Sequence, residues 1–313
     1  MSESTDRAVE LDKTLGLLRS VFPSVRFRTP DFVDWVYHHN PDGPVLEENI
    51  DDPDSGERIA HIAGVPRYCR NRDTRERFAM MYNVATSPTS QRKGLYVKLC
   101  FNLISRTAGE LGGFIGVANE NSVSPDVNTL GTKLIGFLPA LLVPPTRLRT
   151  GHVYSRVADS AFLESEQFAT LFGDADDVPA ENWVHCWPLD VLRWRLRWPQ
   201  NTYAVHASNE LVAVSTLGTK RGARVAVICK LLPRRGLSGP LDPSTIISAA
   251  CRFHRAPIAL YVGWNLHVPV RGFKLKKEWL PSPLALVFLS NSEKVDQDSF
   301  TFDTFEFLDF DAF

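Results

Sequence analysis

Between residues 78 and 104 a strand-like run, a short polar turn and a helix-like run follow one another, and no other stretch constrains the fold as much. Residues 78–86 have strand character and residues 95–104 helical character. The turn that joins them carries Gln91, Arg92, Lys93 and Gly94. A strand that meets a helix through such a turn leaves several backbone N–H groups without intrahelical partners at one point. With the positive end of the helix dipole they form an anion site, whose natural ligand is a phosphate or pyrophosphate. Arg92 and Lys93 add mobile positive charge. Alone, the turn also reads as an ordinary helix start, because Gln-x-x-Gly recurs by chance.

The surrounding elements narrow the choice. Residues 8–22 put Leu11, Leu15, Leu18 and Phe22 on one helical face. Trp35 and the stretch Asn40, Pro41, Asp42, Gly43 come next. Residues 58–65 and 76–85 are strand-like, with polar residues 70–75 between them, and read as a hairpin. After the turn and its helix, residues 113–118 form a short buried strand that ends at Asn119, Glu120, Asn121 and Ser122. Residues 130–137, opening on Leu130 and Gly131, close the unit.

This order resembles the GNAT superfamily of acyl-CoA-dependent N-acyltransferases. The family signature is Gln or Arg, two residues, Gly, one residue, then Gly or Ala. Here Gln91 and Gly94 match it and Tyr96 departs from it. A bulky residue there leaves the backbone amide available and crowds a pyrophosphate. The resemblance covers residues 8–145, and the stretches around Trp35 and Asn119 look like a bacterial subgroup often linked to surface-sugar or secondary metabolism. It implies an α/β fold with a central mixed sheet flanked by helices.

The resemblance also implies a division of labour. Acetyl-CoA or another acyl-CoA would be held at Asn83, Val84, Ala85, Gln91, Arg92, Lys93, Gly94, Leu95, Tyr96 and Asn119. Amides 92–96 would take the pyrophosphate. Asn83, Val84 and Ala85, on a strand that splays from its neighbour, would pair with the pantetheine arm, and an N–H there would polarise the thioester carbonyl. Glu120 is the candidate base, at the end of a buried strand where such groups lie in open α/β sheets. Its competing reading is a solvated or helix-start carboxylate. Glu76 reads as exposed. Tyr82 either bonds the acceptor or packs in the core. Many members carry a Tyr acid on the helix after this strand, but residues 121–130 contain none. Ser122 or Ser124 would donate instead, and a thiolate, with a reference pKa of about 8.5, is a tolerable leaving group. Pro125 fits the first turn of a helix starting near Ser124.

The 313 residues, 44% hydrophobic, suffice for one large domain or two ordinary ones. A net charge of -1 argues against a generic nucleic-acid or membrane-surface protein. Five widely spaced cysteines give no metal or disulfide pattern and fit a reducing cytoplasm. The polar start is unlike a signal peptide, and no apolar run reaches the roughly 20 residues of a membrane helix. His38 and His39, if on a strand, would face opposite ways and not share a metal. No metal is expected. Arg67, Arg70, Arg72, Arg75 and Arg77 read as a solvated hairpin tip, or alternatively as a site for an anionic acceptor or the CoA 3′-phosphate.

The second half echoes the first. Apolar residues 139–145 and basic residues 146–150 read as the exit from a first domain at 1–148. Within 149–313, Trp194 stands where Trp35 stands, and strand-like runs at 203–207, 211–216 and 224–232 precede a helix at 243–253 and a buried strand at 258–263. This is the order of a second, degenerate GNAT-like unit. Residues 233–240 lack the Gln-x-x-Gly opening and read as an irregular loop, so the cofactor is expected in the first unit alone. The tail, 299–313, alternates aromatic and polar residues, as in a terminal strand with one face buried or an acidic wall for a cationic acceptor.

The expected activity is transfer of an acetyl or other short acyl group to a primary amine of a small molecule, such as an amino sugar or natural-product intermediate, within a ternary complex. A homodimer is compatible, and neither nucleic acid nor membrane is expected as a partner. The alternatives are an O-acyltransferase or decarboxylase on the same fold, and a non-catalytic CoA sensor or scaffold. An aminoacyl-tRNA-dependent transferase on a related double fold is disfavoured by the charge balance.

Overall fold

The computed structural model describes residues 2–22, 29–72, 74–146, 152–173, 180–220, 222–234, 240–280 and 282–310. The basic exit segment beyond Thr146, most of the loop expected at 233–240, residues 174–179 and the last three residues lie outside these.

Helices α1 (Ser2–Val21) and α2 (Pro30–His38) come first, then strands β1 (Leu46–Asp51), β2 (Arg58–Asn71) and β3 (Thr74–Thr86). Helix α3 (Leu95–Arg106), β4 (Gly113–Ala118), α4 (Val123–Asn128), β5 (Lys133–Phe137), β6 (Ala140–Val143) and β7 (Tyr154–Val157) follow. Next are α5 (Ser160–Leu163), α6 (Glu166–Phe172), β8 (Val184–His185), α7 (Leu189–Leu196), β9 (Tyr203–Ala207), β10 (Leu211–Lys220) and β11 (Ala223–Pro233). The chain ends with α8 (Ser244–Phe253), β12 (Ala259–Asn265), β13 (Phe273–Lys274), β14 (Ala285–Ser290) and β15 (Thr304–Glu306).

The chain forms two units, and neither is a continuous stretch. The first contains residues 1–68, 76–136 and 285–300; the second contains 69–75, 137–284 and 301–313. A single cut at residue 148 therefore does not describe them. Strand β6, read from sequence as a domain exit, pairs with β12 and β13 in the second sheet. Strand β14 returns to the first sheet and pairs with β4 along its whole length, from Gly113↔Ser290 to Ala118↔Ala285. A strand at a sheet edge leaves a row of N–H and C=O groups to be satisfied, and each sheet satisfies one row with a strand distant in sequence.

In the first unit the strand order is β1-β2-β3-β4-β14-β5. Helix α3 buries Leu99, Cys100 and Leu103 against Ala60, Ile62 and Ala79, with Leu46, Ile50, Met81 and Val84 around them. Helix α2 starts on Thr29, whose side chain accepts from Phe32 N, has Pro30 at its first position, and buries Phe32, Val33, Trp35, Val36 and Tyr37. His38 and His39 thus stand at a helix end rather than on a strand, and His39 Nε2 lies 3.0 Å from Asp34 Oδ2. Strands β2 and β3 run through the expected polar turn to Asn71 and Thr74. The arginine cluster is not uniformly solvated: Arg67 is buried and Arg77 donates to Asp42 O at 3.2 Å.

In the second unit the order is β13-β6-β12-β11-β10-β9-β7. Helix α8 packs Ile246, Ile247, Ala250 and Cys251 on this sheet. Strand β15 pairs with β12 at Gly263, Trp264 and Asn265. Gly263, at φ 105, is required there, because a Cβ would stand 1.9 Å from Phe305 O. Residues 302–310 are all buried, so this stretch has no solvent face, contrary to the one-sided strand expected. Asp303, Glu306 and Asp309 are not a wall towards an acceptor either: they are buried and bonded within the unit.

Candidate functional site

β3 and β4 are parallel neighbours, yet they pair only at Phe78↔Gly113, Ala79↔Phe114 and Met80↔Ile115. Both strands continue beyond these pairs. The same register, continued, would set Asn83 opposite Ala118. What interrupts it is visible in β3. Ala79 and Met81 face α3, and so does Val84, which breaks the two-residue alternation of a strand. Asn83, at φ 47, supplies the extra residue. Tyr82 is buried on the other face, its ring 6.3 Å from that of Phe32. Such a bulge bends one strand away from its neighbour, and Asn83, Val84 and Ala85 are the β3 residues beside the resulting cleft, beyond the paired stretch.

The cleft wall leads along the chain to the turn. Ser87 N donates to Ile59 O at 2.8 Å, a short helical turn follows at Pro88–Ser90, and Gln91, Arg92, Lys93 and Gly94 are exposed. Arg92 (φ 63) and Gly94 (φ 72) are both left-handed. Left-handed residues in such turns aim successive N–H groups into one concavity. Gly94 caps α3 without a side-chain bond, and the first helical bond is Lys98 N to Gly94 O at 3.0 Å. Among the described residues none accepts from the N–H of Leu95, Tyr96 or Val97. Apart from its chain neighbours, none of the described residues has an atom within 4 Å of where a Gly94 Cβ would be. The turn is thus an uncapped helix start with space before it.

Tyr96 is committed to the interior. Its ring packs on the core beneath α3, and its hydroxyl donates to Asp126 Oδ1 on α4. Burial raises the pKa of both the Tyr96 phenol and the Asp126 carboxyl, and pushes the Cys100 thiol up to about 12, which removes it as a nucleophile at neutral pH.

At the end of β4, Asn119 Oδ1 accepts from Asn121 N at 2.9 Å and Ser122 N at 3.2 Å, and Ser122 Oγ accepts from Asn119 N at 3.1 Å. Asn119 and Ser122 therefore build the turn that carries Glu120, and Glu120 itself is exposed.

The structure adds residues that sequence patterns did not single out. Asn83 Nδ2 donates to Tyr37 Oη at 3.1 Å. Tyr37 Oη lies 2.7 Å from His61 Nε2, and His61 Nδ1 lies 2.6 Å from Asn49 Oδ1 and 4.0 Å from Glu47 Oε2. Tyr37 and His61 are buried, with their rings stacked. Burial, and then the charge of Arg58, lowers the His61 pKa to about 3, so its ring is neutral at physiological pH. Burial raises the Glu47 carboxyl. The one sequence sign was a histidine between apolar residues in the middle of a strand.

No protein-family model matches this sequence, and no curated protein is significantly similar to it. Solved structures are similar in fold. A GCN5-related N-acetyltransferase from Anabaena variabilis superposes with a TM-score of 0.61 at 9% identity, over 90% of this chain and 70% of that one. One from Kribbella flavida gives 0.60 at 14% identity, over 90% and 68%. The Saccharomyces cerevisiae N-myristoyltransferase, solved with bound myristoyl-CoA, gives 0.55 at 10% identity, over 90% and 79%. The chain has the fold of the GCN5-related N-acetyltransferases.

Proposed function

We propose that the protein transfers an acetyl or other short acyl group from acyl-CoA to a primary amine of a small molecule, by direct attack in a ternary complex. The observation that carries this reading is the early parting of β3 and β4 and its continuity with an uncapped helix start. A pantetheine arm is an extended chain with amide groups, and the unpaired edge of β3 at Asn83, Val84 and Ala85 offers it backbone partners. The N–H groups of Leu95, Tyr96 and Val97, with Arg92 and Lys93 beside them, suit the pyrophosphate. A backbone N–H near the bulge would stabilise the carbonyl oxygen as charge develops on it. The exposure of Glu120 at the end of β4 supports a role in attracting a cationic acceptor, and an amino sugar or natural-product intermediate is the proposed class.

The second unit we take as a degenerate copy. Trp35 and Trp194 each lie on a short helix ahead of paired strands. β11 and β12 are parallel at Ala226, Val227 and Ile228 only, as β3 and β4 are over three pairs, with a helix between them in each case. Cys229 is an extra residue where Val214 opposes Lys230 and Ser215 opposes Ile228, just past the paired stretch. All five cysteines are buried. No helix among the described residues is long and apolar enough to cross a membrane.

Calorimetry with acetyl-CoA tests the reading. Micromolar binding to the parent and its loss in Gly94→Val are expected, followed by amine-dependent release of CoA thiol. Binding without turnover of any amine marks a CoA sensor. Absence of binding sinks the proposal.

A further inference from the structure

We propose that Tyr37 and His61 form a two-way proton relay for the acyl transfer, taking the proton of the attacking nitrogen and returning it to the departing thiolate. This rests on the acyl-transfer reading above. The relay runs from the cleft to the sheet edge across four elements: Asn83 on β3, Tyr37 on α2, His61 on β2, and Asn49 and Glu47 on β1.

Its direction follows from donor chemistry. An amide Nδ2 only donates, so Tyr37 Oη accepts from Asn83. His61 Nε2, 2.7 Å away, takes the phenolic hydrogen because Asn49 Oδ1, which can only accept, holds the hydrogen of the neutral ring on Nδ1. A neutral imidazole that accepts at Nε2 carries its hydrogen on Nδ1. That hydrogen is met by Asn49 Oδ1 at 2.6 Å. Every bond points the same way, and the bare ring nitrogen faces the cleft side.

Any buried neutral histidine needs one donor and one acceptor partner; what points to proton transfer is where this chain of bonds begins and ends. The backbone of Asn83 is the cleft wall, so Tyr37 Oη stands one amide side chain behind the place where β3 leaves β4. Behind the ring lies a carboxylate, Glu47 Oε2, 4.0 Å from Nδ1. The other charges are accounted for. Arg58, on the same strand, opposes a positive charge on His61 and is itself held by Asp51 at 3.1 Å, by Thr14 at 2.5 Å and by Glu10. Glu47 also feels Glu10 of α1 and Arg106 of α3.

The step balances without an outside reagent. A free amine adds to the thioester carbonyl, forming the C–N bond and leaving a cationic nitrogen. That nitrogen gives a proton, directly or through one water, to Tyr37 Oη as Tyr37 passes its own to His61 Nε2. The imidazolium keeps Nδ1–H on Asn49 and is stabilised by Glu47. As the C–S bond breaks, its electron pair leaves on sulfur, and the proton returns by the same path. Products are the amide and CoA thiol, and the relay is restored.

Two measurements test this. Nitrogen-15 NMR of histidine-labelled protein should show His61 as the neutral Nδ1–H tautomer; an Nε2–H tautomer or a cationic ring overturns the relay. The second is thiol release from acetyl-CoA with water as acceptor, so no amine need be known, alongside calorimetric affinity for acetyl-CoA. Tyr37→Phe and His61→Gln should bind acetyl-CoA as the parent does and release thiol about a hundredfold more slowly. Unchanged release in Tyr37→Phe overturns the relay, as does a parent that binds acetyl-CoA yet releases no thiol above the uncatalysed rate. A parent that fails to bind acetyl-CoA instead overturns the acyl-transfer reading and the relay with it.

Discussion

In the first unit β3 and β4 separate after three pairs, and the described residues put no further strand between them; in the second, β11 and β12 separate after three pairs and the tail enters the gap. There β15 pairs with β12, and the carboxylates of Glu306, in β15, and Asp309, just after it, bond to β11. Leu231 N donates to Glu306 Oε1 at 3.2 Å, and Lys230 Nζ lies 2.7 Å from Asp309 Oδ2 and 3.1 Å from Glu306 Oε2. His185 Nδ1 and Trp187 Nε1 share Asp309 Oδ1, and Tyr261 donates to Glu306. Parting two parallel strands exposes backbone groups that something must satisfy. One unit has no strand there among its described residues, and the other seals them with its own chain. The difference explains why the cofactor is proposed for one unit alone.

The sharpest way to break the comparison is to open the seal. Lys230→Met would strand Glu306 and Asp309 in the interior, and loss of one partner of a buried ion pair costs about 3–5 kcal/mol. Denaturant unfolding should show that loss, and a change below 1 kcal/mol would mean the plug is held otherwise.

Acid should act on both units. His61 in the first and His206 in the second are buried and lowered to about 3. A group lowered on folding stabilises fully above its unfolded value near 6.5, and that contribution is lost as pH falls towards 3, by up to about 1.4 kcal/mol per pH unit for each ring. Burial lifts Glu306 to about 7, which acts oppositely: its contribution is present below about 4.5 and fades as pH rises to 7. Unfolding midpoints at stepped pH should fall below 6.5, less steeply in His61→Gln. A variant with the parent's slope would show that His61 does not titrate on unfolding.

Gly94→Val tests the open site. Its left-handed backbone costs a Cβ residue about 1–2 kcal/mol, so modest destabilisation should accompany a much larger loss of acetyl-CoA affinity. Equal losses would make the effect one of folding. The smallest effect is expected for Arg92→Ala and Lys93→Ala: exposed charges contribute about 0.2–1 kcal/mol, and the loss should shrink with added salt.

Where the chain is locally consistent, the sequence was legible. The helix at 95–104, the hairpin strands, the strand at 113–118 and the second set of strands lie where their patterns indicate, because each pattern reports a neighbour near in sequence. β1 was missed, since Glu47, Glu48 and Asn49 obscure the two residues, Leu46 and Ile50, that touch the core of an edge strand. The exchange of β6 and β14 was missed because nothing in an apolar run names its partner. At the site, the turn was legible and the fate of Tyr96 was not, since Asp126 comes from another helix. The path through Tyr37 and His61 joins four elements, and only their assembly brings it into view.

The placement of β14 sets a schedule. Residues 113–118 are synthesised long before their partners at 285–290, so the first sheet cannot be completed until about 170 further residues have been made. Contacts so far apart in sequence fold slowly, and during that interval one edge of β4 is an adhesive surface. A gene split between the two halves would leave each with a missing strand, and co-expression of the pieces, rather than either alone, is what would recover soluble protein.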